Sequence, residues 1–520
     1  MSWFESMKTR LSRTRHGGSA GPPVRPHGWA QRHRGLLSAV VVLLLGALLV
    51  AIKPWENCGA GLRSVDADEK SSGSSYACVG INLESGPMRE NDPFTELEKF
   101  IKARNDEAGN DFRTIVVLEN FTPDPKVDSQ PIDFVKHEIQ GAITAAWPKN
   151  GRAGIRLLLA NYGSNATHWK DVAEEIVAAA ASQHIVAVTD VGVSSEHSRA
   201  LVAELSANGI ATIGATVTAD NMNVDPQGKR IDNFFRVGPT NTDEARAAAG
   251  YIAAHGFRRV MMVRGTGVED TYATTLAEAF QGASKVPVLF TKGYNSIPLF
   301  DASREDYLRN LFRGYHSDIC GAKPDLIYFA GRGLDLGAFV KALAGDGACE
   351  GLDSVTVMTG DDASTLAGKP LPLDKDIGVR LRYTALAYPD QWDMFAADPA
   401  YPTYKKNHDN FVAEFTRRFP RGGLWDGAAM IEHDAVAVAV RAAGDNVSAD
   451  PVSVPDVVRN IDCNSSVPGA TGAIAFDRTT GNQLDKALPI LSIAPDGSVH
   501  PVDLVWSRGR PLNTAPDCGR

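Results

Sequence analysis

Ser194-Ser195 stand directly before a helical pattern that begins at Glu196. A hydroxyl in that place can cap the helix, and the free backbone N–H groups of the first turn attract an anion such as a carboxylate. Capping alone would account for the pair equally well. Asp361 and Asp362 end the apolar run VTVMTG (355–360), where a carboxylate either caps a helix starting near Ala363 or faces a ligand. Arg332 follows LIYFAG (326–331); its planar fork suits bidentate recognition of an acid group, or it is a solvated rim charge. Catalytic patterns are missing from the sequence. GVSSE (192–196) lacks the second glycine of a nucleophile elbow, and His137-Glu138 lacks the second histidine of a zinc-protease helix. Gly265-Thr266-Gly267 lacks the third glycine of a dinucleotide fingerprint, and the 12 histidines show no ligand spacing. The residues point to binding, with no enzyme activity, cofactor or metal expected.

These polar residues need strand ends to hold them, and the sequence supplies strands. Short β-branched runs at 77–82, 114–118, 155–160, 185–189, 211–215, 260–263, 286–291, 325–330 and 355–359 read as strands. Between them, apolar residues every three or four positions predict helices at 95–105, 132–147, 168–182, 196–208, 242–255, 271–282, 303–315 and 334–345. In 168–182, Asp171, Glu174 and Glu175 share one face while Val172, Ala173, Ile176 and Val177 share the other. Further helices are expected at 402–418, 426–443 and 452–460, before a β-rich close at 472–504. Alternation of this kind builds βαβ units, hence mostly parallel sheets covered by helices on both faces. Ligands of such sheets bind beyond the carboxyl ends of the strands.

Charge and hydropathy separate the N-terminus from this body. Residues 1–35 hold seven Lys and Arg against Glu5, a net +6, so the remainder carries −15 of the −9 total. An acidic body argues against nucleic-acid binding, which replaces phosphate counterions with Lys and Arg. Residues 36–52 (LLSAVVVLLLGALLVAI) are uncharged and long enough, at about 26 Å as a helix, to cross a bilayer. The basic flank places residues 1–35 in the cytoplasm, and the main body outside the cell membrane. Lys53-Pro54-Trp55-Glu56 follows in place of a small-x-small cleavage site, and Cys58 lacks the small residues that precede a lipoprotein cysteine. The segment therefore reads as an uncleaved single-pass transmembrane anchor, with 53–75 as a polar tether. All six cysteines (Cys58, Cys78, Cys320, Cys349, Cys463 and Cys518) lie on the outer side, where disulfides form. No CxxC spacing supports a metal site instead. Pairing in sequential order is expected, with a geometric reason for one pair: Cys320 and Cys349 each precede a strand of the same parallel sheet.

From about residue 112 to 505 the order of segments resembles the type I periplasmic-binding-protein superfamily, in its branched-chain amino-acid-type ABC transporter substrate-binding branch. Four stretches carry the likeness. AVTDVGVSSEHSRALVAELSANGIATIGATVTAD (187–220) is similar to the family's strand, Ser loop, helix and Thr-ending strand. NFFRVGPTNTDEARAAAGYIAAHGFRRVMMV (233–263) resembles its crossover between lobes, and GVEDTYATTLAEAF (267–280) the element that presents a Tyr at the cleft. GATGAIAFDRTTGNQ (469–483) resembles its closing hairpin. Family members commonly begin at the strand resembling 114–118, so 76–110 reads as an added strand and helix.

The resemblance implies two Rossmann-like α/β lobes joined by three crossings. Lobe one comprises 76–238 and 390–468, and lobe two 241–388 and 470–505, with 506–520 as a tail. It implies a ligand between the lobes that stabilises the closed form. Thr216 and Thr218 fall where the family holds a ligand's carboxylate, and Asn241 where some relatives have Asp. Tyr272 matches a ligand-facing Tyr, and Asp361, or Asp362 beside it, an acid that pairs an amino group. The implied partners are a small polar, amino-acid-like solute and an ABC permease in the same membrane. A membrane-anchored sensor is the competing reading. The cytoplasmic tail carries no kinase, phosphatase or helix-turn-helix pattern, so signalling would run through a partner protein.

Overall fold

A computed structural model of the chain describes residues 58–66, 76–89, 92–125, 127–148, 154–267, 269–295, 304–345, 347–396, 401–444, 454–484 and 486–508. The basic tail, the apolar segment 36–52 and Cys518 lie outside these residues. Among the described residues no helix is long and apolar enough to cross a membrane.

The long β-branched runs become the centres of two seven-stranded sheets. The first contains β1 (Leu62–Asp66), β2 (Tyr76–Ile81), β3 (Arg113–Glu119), β4 (Ile155–Asn161), β5 (Ile185–Asp190), β6 (Ala211–Gly214) and β7 (Phe234–Arg236), in the order β1-β2-β4-β3-β5-β6-β7. The second contains β8 (Val260–Gly265), β9 (Val288–Tyr294), β10 (Leu326–Ala330), β11 (Ser354–Thr359) and β12 (Gly378–Thr384). After a short hairpin, β13 (Val467–Gly469) with β14 (Gly472–Ile474), the strands β15 (Ala487–Ile493) and β16 (Val499–Trp506) complete it in the order β16-β15-β12-β11-β10-β8-β9. Both sheets are parallel at their centres and end in antiparallel pairs, β4-β2-β1 and β12-β15-β16. The central strand β5 (IVAVTD) is buried at every position, as expected where helices cover both faces. At the edge, β9 alternates between half-buried and exposed residues, and only one of its faces packs.

The first of the covering helices, α1 (Thr95–Glu107), packs on β4. Its Asn105 side chain donates to Leu157 O at 2.7 Å and accepts from Leu157 N at 2.9 Å, satisfying strand groups that β2 does not reach. The segment read as an addition thus supplies the β2 edge and a helix that closes the rest of it. The tether expectation needs correction. Residues 62–66 form β1, which is paired along its length with β2 beside the Cys58–Cys78 disulfide (Cα–Cα 5.5 Å). Arg63 also pairs with Asp171 and Glu175, on the acidic face of the next-but-one helix. Cys320 and Cys349 are joined as expected, with Cα atoms 5.2 Å apart, and Cys463 is also in a disulfide.

The remaining helices are α2 (Ile132–Ala146), α3 (Trp169–Ala179), α4 (Glu196–Ala207), α5 (Asn241–Ala254), α6 (Thr271–Ala283), α7 (Arg304–Arg313), α8 (His316–Ala322), α9 (Gly333–Gly345), α10 (Tyr401–Arg418), α11 (Ala428–Ala443) and α12 (Val454–Arg459). α11 returns to the first lobe and lies on α2. At their crossing a Cβ on Gly141 would stand 2.1 Å from Ala429 O, so only glycine allows the approach. The chain passes between the lobes after Arg236, after Thr384 and after Leu484. The passages are locked together. Arg236, fully buried, donates to Ala219 O (2.7 Å), Val217 O (3.1 Å) and Asn482 Oδ1 (2.7 Å). Lys486 Nζ donates to Val237 O at 2.7 Å and Thr471 Oγ1 at 2.6 Å.

Candidate functional site

The carboxyl ends of β3, β5 and β6 in one lobe, and of β8, β10 and β11 in the other, feed loops into the space between the lobes. Several bonds cross it. Thr218 Oγ1 donates to Asp361 Oδ1 at 3.4 Å, Glu196 N to Glu269 O at 3.4 Å, and Arg304 Nη1 to Val127 O at 3.3 Å. Arg332 donates to the carbonyl of Ser194.

Arg332 organises the lobe-two wall. Its Nε and Nη2 donate to Asp270 Oδ1 at 3.1 and 2.8 Å, its Nη1 is 4.0 Å from Asp362 Oδ1, and its Cζ lies 4.7 Å from the centre of the Tyr272 ring. Burial alone would weaken the guanidinium's hold on its proton, but Asp270 and Asp362 outweigh that and raise its pKa. Asp362 is anchored by Gly333 N at 2.6 Å, and its own N–H donates to Tyr272 OH at 3.3 Å. Asp361 N donates to Glu244 Oε2 (2.9 Å), which also accepts from Thr384 Oγ1 (2.7 Å). Burial, then the charge of Asp362, pushes the Asp361 carboxyl up to about 7. Glu244 is also pushed well above the usual carboxylate range, through burial and then Asp361.

The residues singled out from sequence divide in three. Ser194, Thr216, Tyr272, Asp361 and Asp362 converge with Arg332 on one narrow recess of about 10 Å³, room for roughly one water. Arg332 and Ser195 also line a neighbouring cavity of about 360 Å³. Thr218 and Asn241 line neither. Asn241 Nδ2 donates to Tyr272 O (2.9 Å) and Thr275 Oγ1 (2.8 Å), so it positions the tyrosine from behind. Ser195 caps α4 by accepting from Ser198 N at 3.1 Å. The Ser194 hydroxyl accepts from Ala219 N at 3.1 Å and ties the two loops together.

The larger cavity draws on residues that the sequence reading passed over: Glu119, Asp128 and Gln130 from lobe one, and Glu269, Asp270 and Arg304 from lobe two. Glu119 ends a strand and Asp270 caps α6, so both obeyed rules already applied to their neighbours. Gln130 and Arg304 carry no local signal, since only the packing of the lobes brings them to the wall. Acids outnumber bases on this lining: Glu119, Asp128, Glu196, Glu269 and Asp270 face Arg304 and Arg332. Both arginines are already paired, Arg304 with Asp335 at 2.7 Å.

Comparison with known proteins agrees with this architecture. Residues 142–498, more than half of the chain, match the family described as "periplasmic binding protein". Similar solved structures include the branched-chain amino acid transporter substrate-binding protein LivJ from Streptococcus pneumoniae, in complex with isoleucine. It is 16% identical with a TM-score of 0.56, over 76% of this chain and 99% of that one. An ABC transporter substrate-binding protein from Desulfitobacterium hafniense, in complex with leucine, is 17% identical (TM-score 0.53; 75% and 99% covered). A solute-binding protein of an ABC transporter from Rhodopseudomonas palustris, in complex with p-hydroxybenzoic acid, is 14% identical (TM-score 0.55; 78% and 100% covered). At these identities the likeness is one of fold. No curated protein sequence matches the chain.

Proposed function

The chain belongs to the periplasmic binding protein family, and from that membership we propose that it is the substrate-binding component of an ABC-type uptake system. In this reading residues 36–52 anchor it in the cell membrane, the body stands outside the cytoplasm, and the solute is handed to a permease in the same membrane.

The observation that carries the reading is the 360 Å³ cavity walled by polar groups of both lobes. A solute there touches both lobes at once, and therefore stabilises only the closed arrangement. The narrow recess beside it does not hold an amino acid, because the Arg332 guanidinium already lies over Tyr272 and beside Asp362. We place the solute in the larger cavity. Its excess of acids, with both arginines already paired, favours a small polar solute bearing a cationic group, amino acids among them. Arg332, with Glu269 opposite Glu196, would orient it.

A thermal-shift panel of amino acids, amides, aromatic acids, polyamines and sugars tests the proposal. A true solute at 100 times its dissociation constant adds about 2.7 kcal/mol of stability, readily seen in the melting temperature. A shift confined to cationic or zwitterionic solutes supports the reading. A panel with no shift overturns it.

A further inference from the structure

Beneath the cleft, inside lobe one, four carboxylates meet with no base among them. Glu119 ends β3 and Asp190 ends β5; Glu138 comes from α2 and Glu432 from α11. The close crossing at Gly141 and Ala429 sets the two helical acids against the strand ends, each one turn from the contact. All four residues are at most 1% exposed. Part of their hydrogen-bonding capacity is met. Glu119 Oε1 accepts from Asn120 N (2.6 Å) and Tyr162 OH (3.1 Å), and Glu432 Oε1 from Thr189 Oγ1 (2.7 Å). Glu138 Oε1 takes only a long contact from Gln130 Nε2 at 3.5 Å.

The other oxygens are unmet. Glu119 Oε2, Glu138 Oε2, Glu432 Oε2 and both oxygens of Asp190 are buried without a hydrogen-bond partner. The Gly192 N–H and Thr216 hydroxyl favour the Asp190 charge, but outside hydrogen-bond geometry. No lysine or arginine among the described residues pairs with any of the four. An uncompensated buried carboxylate costs several kcal/mol, so this grouping must either hold protons or take a cation, and a cation would meet several of its open oxygens at once.

The donors and their burial say which charge fits. Oxygens of Glu119, Glu138 and Asp190 all lie within 4.8 Å of one another. A carboxylate cage buried from water suits Ca²⁺, whereas Mg²⁺ sheds its water reluctantly and is seldom held by protein oxygens alone. A donor set made only of oxygen selects hard cations over zinc or copper. Glu119 also lines the 360 Å³ cavity, which gives an ion a way in. We propose that Glu119, Glu138 and Asp190 bind one Ca²⁺ in the core of lobe one, with Glu432 adding negative charge from behind.

The site lies within a single lobe, so the ion binds whether or not a solute occupies the cleft. It would tie the ends of β3 and β5, which carry the lobe-one wall of the cleft, to α2 and α11. The test uses the full chain, stripped with a chelator and dialysed against radiolabelled Ca²⁺, with melting followed in parallel. One saturable Ca²⁺ per chain is expected, with a melting temperature that rises on Ca²⁺ addition and falls again with chelator. Glu138→Gln should weaken Ca²⁺ binding at least tenfold, while Glu204→Gln, on the exposed face of α4, should leave it unchanged. If Glu138→Gln does not fold, Asp190→Asn takes its place. Absence of saturable Ca²⁺ on the wild-type chain overturns the proposal, as does wild-type affinity in the charge-removing variant.

Discussion

Each lobe buries a group of acids at the ends of its parallel strands, and the two groups are handled differently. In lobe two, Asp362 is answered by Arg332 and Gly333 N, Asp361 by Thr218 across the cleft, and Glu244 through Oε2 by Thr384 and Asp361 N, with only Glu244 Oε1 unmet. In lobe one, Glu119, Glu138, Asp190 and Glu432 keep five oxygens without partners. Strand ends of one fold therefore meet the same electrostatic problem by two routes. The lobe-two acids spend their charge on the chain's own cation and on the opposing lobe, so they hold the cleft together. The lobe-one acids are left for an ion that the chain does not supply.

The largest effect that would break this comparison belongs to Arg332. Arg332→Met leaves the buried Asp362 and the partly buried Asp270 without their cation and should cost about 3 kcal/mol in urea unfolding. A loss below about 1 kcal/mol would mean that lobe two also lacks internal compensation. Next comes pH. The Asp361 carboxyl keeps its proton to about 7 in the folded chain, against 3.8 ordinarily. Between those values the native state binds more protons than the unfolded one. Stability from this group is present at low pH and is lost as pH rises through 7, by up to about 1.4 kcal/mol per pH unit. Melts at pH 5 and pH 8 should show the decline, and Asp361→Asn should make it shallower, with other raised carboxyls such as Glu98 and Glu119 carrying the rest.

A smaller effect of opposite sign is expected in lobe one. With Ca²⁺ removed, burial and the neighbouring acids keep Glu138 protonated, and Glu138→Gln gives the cluster an amide donor for an unmet acid oxygen, which should stabilise the chain by about 1–2 kcal/mol. With Ca²⁺ present the same change should destabilise it. The smallest effect is that of Thr218→Val, which removes one long hydrogen bond across the cleft at about 0.5–1 kcal/mol. Chemical denaturation of the single variants, with and without Ca²⁺, measures both.

The elements that position the site were legible where a segment's own pattern decides its form. The helix expected at 196–208 is Glu196–Ala207, and the strand expected at 355–359 is Ser354–Thr359. β1 escaped notice because its short, polar sequence becomes a strand only through its pairing with β2. β12 escaped because Arg380 and Arg382 interrupt its apolar run, although it sits between β11 and β15. In the site, strand-end logic found Thr216, Asp361 and Asp362 together with Arg332, yet these residues close on one another around a narrow recess. The roomier cavity depends on Gln130 and Arg304, which arrive from distant loops and helices. Asn241 was misplaced for a related reason: at the crossing, its amide reaches Tyr272 before it reaches the cleft. The acid cluster of lobe one was invisible because Glu138 and Glu432 lie 294 positions apart on helices brought together by tertiary packing, with Gly141 allowing their closest approach.

The location of the solute is tested most directly by isothermal titration of the solute found in the panel, into the wild type, Leu334→Trp and Asp361→Asn. Leu334 lines the larger cavity and not the narrow recess, while Asp361 lines only the recess. Binding between the lobes in the larger cavity predicts at least a tenfold loss of affinity in Leu334→Trp and a smaller loss in Asp361→Asn. Unchanged affinity in Leu334→Trp would contradict the account and place the solute elsewhere.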